Sequence, residues 1–80
     1  MSAPPHEVLE AARMQAGMSF QDLWIAYLSL GGTAHPDALR AYLGGGTVPS
    51  VEYDVLAQAL NEHFLDQGGN HPVPYRDELF

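Results

Sequence analysis

The chain contains no cysteine and no lysine, and its cationic side chains are three arginines, Arg13, Arg40 and Arg76. Without cysteine there is no disulfide, no thiolate nucleophile and no thiolate metal ligand. Small secreted domains usually depend on disulfide staples, so a cytoplasmic address is expected. No apolar run approaches the roughly 20 residues that span a bilayer. The stretch Met1 to Pro5 lacks the basic start and apolar middle of a signal peptide. The shortage of positive charge is equally informative. Ten acids against three arginines give a net charge of −7. Nucleic-acid affinity comes largely from Lys and Arg neutralising phosphates, and an acidic field repels polyanions and anionic membranes alike. A basic or apolar protein suits this charge better, and self-association is the other partner expectation.

What is present describes a globular domain. Eighty residues make one small domain, and 46% of them are hydrophobic, more than a disordered chain carries. Glycine and proline divide the sequence into four helical segments. The first spans about Pro5 to Ala16, with Glu7 and Glu10 near its positive end and Val8, Leu9, Ala12 and Ala16 on one stripe. Gly17 stops it. The second spans about Phe20 to Leu30. Ser19 and Asp22 have the spacing of an acidic capping box, and the wide arc of Phe20, Leu23, Trp24, Tyr27, Leu28 and Leu30 predicts a central helix. The third, Pro36 to Leu43, has proline at its first position and Gly44-Gly45-Gly46 as its terminator. The fourth spans about Val51 to Gln67, with Ser50 as cap. Its stripe reads Val51, Val55, Leu56, Ala59, Leu60, His63 and Phe64, with Glu52, Asp54, Gln58, Glu62 and Asp66 facing out.

The expected architecture is therefore all-α: a small bundle of four helices over residues 1–69, followed by an extended tail over 70–80 in which His71-Pro72-Val73-Pro74-Tyr75 cannot continue a helix. The core should include Leu9, Leu23, Trp24, Tyr27, Leu39, Leu43, Leu56, Leu60 and Phe64. Phe20, Trp24 and Tyr27 read as core rather than as a ligand pocket, while Tyr42, Tyr53 and Tyr75 are expected at the surface.

Ala16-Gly17-Met18-Ser19-Phe20-Gln21-Asp22-Leu23 resembles the loop and second helix of repressor-type helix-turn-helix domains, the Cro and phage-repressor group. Tyr42-Leu43-Gly44 resembles the end of that family's recognition helix. Val48-Pro49-Ser50 and Leu56-Ala57-Gln58-Ala59-Leu60 resemble the start and core of its next helix. The resemblance covers residues 8 to 64 and implies a helix-turn-helix topology and sequence-specific DNA binding. The sequence departs from the family at two places. The junction Tyr27-Leu28-Ser29-Leu30-Gly31-Gly32-Thr33 is longer than the family's turn. The segment in the place of the reading helix, His35-Pro36-Asp37-Ala38-Leu39-Arg40-Ala41-Tyr42, offers one arginine and one aspartate where phosphate anchors are needed.

Chemistry-bearing patterns are sparse. His6, His35, His63 and His71 fall in four different segments, and Glu62 with Asp66 has ligand spacing on a helix but offers only two exposed carboxylates. His63 lies on an apolar stripe and reads as a hydrogen-bonded, half-buried side chain. Ser19 and Ser50 are placed as caps, and Gly44-Gly45-Gly46 is followed by Thr47-Val48-Pro49 rather than by the lysine of a phosphate loop. No catalytic residue, metal or cofactor is expected. The sequence points instead to a non-catalytic regulatory or adaptor module acting through protein–protein interaction, with a sequence-specific DNA-binding regulator as the alternative. The expected partner contacts are the acids Glu52, Asp54, Glu62 and Asp66 of the fourth helix, which suit a basic partner, and the tail residues Tyr75, Leu79 and Phe80, which suit docking into a groove.

Overall fold

Local capping chemistry sets the helix bounds. The computed structural model describes residues 4–68 together with Val73. Its four helices are α1 (Pro5–Ala16), α2 (Phe20–Ser29), α3 (Pro36–Leu43) and α4 (Ser50–Asp66), with no strand among the described residues. At the head of α2 the Asp22 N–H donates to Ser19 Oγ at 3.0 Å and the Ser19 N–H to Asp22 Oδ2 at 3.4 Å, closing the capping box. At the end of α1, Gly17 takes the left-handed φ of 71°. The Gly17 N–H then reaches Met14 O at 3.1 Å and the Met18 N–H reaches Arg13 O at 3.1 Å, so the turn folds Met18 into the core. Ser50 does not cap α4. It is the first helical residue and makes no cap hydrogen bond with its side chain; Pro49 is the N-cap residue and its carbonyl accepts the Tyr53 N–H at 2.8 Å.

The helices pack as α1 on α4, α2 on α4, α1 on α3 and α2 on α3. Leu9, Leu23, Tyr27, Leu39, Tyr53, Leu56, Ala57 and Leu60 are wholly buried between them. Burial of a leucine or tyrosine of this kind contributes about 1.5–3 kcal/mol, against about 4–12 kcal/mol for the total stability of a domain this size.

Three core expectations need correction. Tyr53 is at the centre of the core, and Val51 is 72% exposed. The inward arc of α4 is Tyr53, Leu56, Ala57, Leu60, Asn61 and half-buried Phe64, an i, i+3, i+4, i+7, i+8, i+11 series, with Ala59 of the expected stripe also buried beside it. The helix is thus rotated away from the stripe that begins at Val51. Trp24 and Phe20 are the third correction: both are half-buried at the edge of the core, where they line a surface groove.

Two polar side chains tie separate segments together. Tyr27, on α2, donates its hydroxyl hydrogen to Glu52 on α4, and the same oxygen accepts the N–H groups of Thr33 at 3.1 Å and Ala34 at 2.8 Å. Burial, reinforced by the Glu52 carboxylate, holds the phenol above its ordinary pKa, and the two backbone N–H donors oppose that shift. Asn61, buried on α4, accepts the Val73 N–H at 3.0 Å through Oδ1 and donates from Nδ2 to Val73 O at 2.9 Å. Val73 is thereby fixed in the core. The rest of the expected tail, including Tyr75, Leu79 and Phe80, lies outside the described residues.

Candidate functional site

The residues at the meeting of α1, α2 and α3 form a concave surface among the described residues. Two shallow concavities, about 270 and 220 Å³, adjoin there and share Phe20 and Arg40. The first also includes Glu10, Arg13, Leu43 and Gly44. The second also includes Gln21, Trp24 and Pro36. Phe20 and Trp24 are one helical turn apart on α2, so their rings form a common wall. Arg40 comes from the facing side of α3, and its guanidinium sits 4.1 Å from the centroid of the Phe20 ring. That stack orients the cation without neutralising it.

The two arginines of this surface differ in what they have left to offer. Arg13 is engaged: Nε donates to Glu10 Oε1 at 2.6 Å, Nη2 to Glu10 Oε2 at 3.0 Å and Nη1 to Met18 O at 2.8 Å. The Glu10 hydrogen bonds raise its pKa further, against a smaller opposing effect of desolvation. Arg40 is exposed, and no carboxylate among the described residues pairs with it. Beside it the Trp24 indole Nε1–H is buried and lacks a hydrogen-bond acceptor among the described residues. A buried donor without an acceptor costs about 1–3 kcal/mol.

The groove continues along α2. Ile25 and Leu28 are 53% and 39% exposed. With Gln21 and Trp24 they occupy i, i+3, i+4 and i+7 positions, so they extend the aromatic wall by a turn of helix.

The acids expected to face a partner separate into two pairs. Glu52 is half-buried and accepts the Tyr27 hydroxyl, which gives it a structural task. Asp54 is also half-buried. Glu62 and Asp66 are exposed, one turn apart on α4. His63 is half-buried as expected: its Nε2 is 3.1 Å from Ala16 O, and its ring meets Phe64 edge-on at 6.4 Å. Among the described residues no three His, Asp or Glu side chains converge as metal ligands. His71 lies outside the described residues.

The groove was not legible from periodicity. Phe20 and Arg40 sit on different helices, and nothing in their spacing announces that one stacks on the other. The available signal was the lone arginine on α3 combined with an apolar arc on α2 too wide for one core-facing stripe. No protein-family model, curated protein or solved structure matches the chain.

Proposed function

We propose that the chain is a non-catalytic regulatory or adaptor module that recognises another polypeptide on its α2–α3 face. One observation carries this reading: Arg40 lies without a carboxylate partner among the described residues, stacked on Phe20 in a concavity that Trp24 also lines. A cation and two aromatic rings in one concavity suit a polypeptide, which offers carboxylates and apolar side chains together. Tryptophan and arginine are also the residue types that dominate binding energy at protein interfaces. Exposed Ile25 and Leu28 add apolar area beside the groove.

The DNA-binding alternative would use Arg40 as the base-reading residue of α3. Its support is the exposure of that side chain. Against it stand the net charge of −7, Asp37 in the first turn of α3 and the commitment of Arg13 to Glu10. Phosphate anchoring needs several uncommitted cations.

An affinity capture with the full chain separates the two. The protein reading expects polypeptides that are recovered by the wild-type chain and lost with both Arg40→Ala and Trp24→Phe, and recovery insensitive to nuclease. Nuclease-sensitive recovery, or recovery indifferent to both substitutions, would contradict it.

A further inference from the structure

We propose that the α2–α3 groove receives residues 75–80 of a second copy of the chain, so that copies associate head to tail. This rests on the reading of the α2–α3 face as a recognition surface and names its ligand.

The groove specifies an acidic, apolar segment. Arg40, exposed and unpaired with any carboxylate among the described residues, calls for a carboxylate. The rings of Phe20 and Trp24 and the edge of Leu43 call for apolar side chains. Residues 75–80 read Tyr-Arg-Asp-Glu-Leu-Phe. They place two adjacent carboxylates, Asp77 and Glu78, directly before two large apolar residues, Leu79 and Phe80. One of these carboxylates would pair with Arg40, with Leu79 and Phe80 against the aromatic wall. A guanidinium–carboxylate contact of this kind is stronger than a neutral hydrogen bond.

The two-point hydrogen bond to Asn61 fixes Val73 on α4. The residues lining the groove come from α1, α2, α3 and their termini, none from α4. Residues 74–80 have a reach of at most about 24 Å when extended. Each copy then holds one groove and one ligand segment, the arrangement of a heterologous interface. The wild-type contact is a local attraction between chains that repel one another overall.

The test is a charge exchange in the full chain, read by sedimentation equilibrium. Wild type should show concentration-dependent association that a synthetic peptide of residues 75–80 reverses. Arg40→Asp, and separately Asp77→Arg with Glu78→Arg, should each weaken association at least about tenfold. Mixing the two variants should restore it, because the acidic groove of one meets the basic segment of the other. Circular dichroism verifies that each variant is folded, which is expected since Arg40 is exposed. A wild-type chain that stays monomeric, association untouched by either variant, or a mixture that fails to associate would each overturn the proposal. A monomeric chain that still recovers a foreign polypeptide in an Arg40-dependent way overturns the ligand and leaves the recognition face standing. A monomeric chain that recovers none removes both.

Discussion

Replacing Gly32 with alanine should be among the most damaging single-methyl additions this domain can receive. Gly32 follows the end of α2, and a Cβ built there would lie 2.3 Å from Tyr27 Cζ and 2.4–2.5 Å from both Cε atoms. The ring cannot give way cheaply. Tyr27 is 0% exposed, and its hydroxyl is held by Glu52, Thr33 and Ala34. Overpacking alone costs about 1–3 kcal/mol. Moving the ring also breaks part of the hydroxyl network, at about 1–3 kcal/mol for donors or acceptors left unpaired. Gly32→Ala should therefore destabilise by about 2–5 kcal/mol and lower Tm by at least about 10 °C. Gly31→Ala is the natural control. Gly31 has open space around it but a φ of 94°, so its cost is backbone strain of about 1–2 kcal/mol. The two can be separated by a double-mutant cycle with Tyr27→Leu, which removes the clashing ring atoms. In that background the cost of Gly32→Ala should shrink by at least half, while that of Gly31→Ala should not change. Urea denaturation supplies the free energies. If the double variants are too weak to measure, the ranking of the two single glycine variants decides. The reasoning is refuted if Gly32→Ala costs no more than Gly31→Ala, or if its cost is the same with and without Tyr27.

Three further outcomes are expected. Tyr27→Phe should cost about 2–4 kcal/mol, since it removes a hydrogen bond to a carboxylate and leaves two backbone N–H groups without their acceptor; denaturation of the two proteins at neutral pH measures it. The raised phenol pKa of Tyr27 also predicts a pH effect: the folded state holds that proton more tightly than the unfolded chain, so the stability linked to it is intact below about pH 10 and is lost as pH rises through the folded pKa. Ultraviolet phenolate titration, wild type minus Tyr27→Phe, should then show a group ionising later than free tyrosine, and a normal titration would contradict it. At the helix starts, Ser19→Ala should cost about 1 kcal/mol, whereas Ser50→Ala should change the urea midpoint little, because Ser50 makes no cap bond. Finally, Asn61→Leu should cost about 2–4 kcal/mol by leaving the buried Val73 N–H and C=O unpaired. Hydrogen exchange at the Val73 amide should accelerate with it, and an unchanged exchange rate would argue against the clamp.

Much of the fold was legible because its signals are local. Gly17, the Ser19–Asp22 box, Pro36 and the glycine triplet each act within a few residues, and all of them bound helices near the places read from sequence. The orientation of α4 was less legible, since its inward arc mixes tyrosine and asparagine with leucine and alanine. Hydropathy alone therefore favoured Val51 over Tyr53. Asn61 could not be recognised because its partner is 12 residues away and the contact is side chain to backbone. Glu52 looked like a surface acid because its partner, Tyr27, lies 25 residues off on another helix. The groove depends in the same way on α2 meeting α3, a tertiary event with no periodic trace. The hints were compositional: a lone arginine on α3 in a chain so acidic, and an apolar arc on α2 too wide for one core-facing stripe.

Site-specific photo-cross-linking in cells tests the central claim most directly. Gln21 is exposed, lines the groove and makes no side-chain hydrogen bond among the described residues that its replacement would break, so a photoreactive residue can stand there in the full chain. Glu62, exposed on α4, serves as the comparison position. The account predicts a discrete polypeptide adduct at Gln21 that disappears with Arg40→Ala and is weaker or missing at Glu62. An adduct at Glu62 but not at Gln21, or one at Gln21 that persists without Arg40, would contradict it.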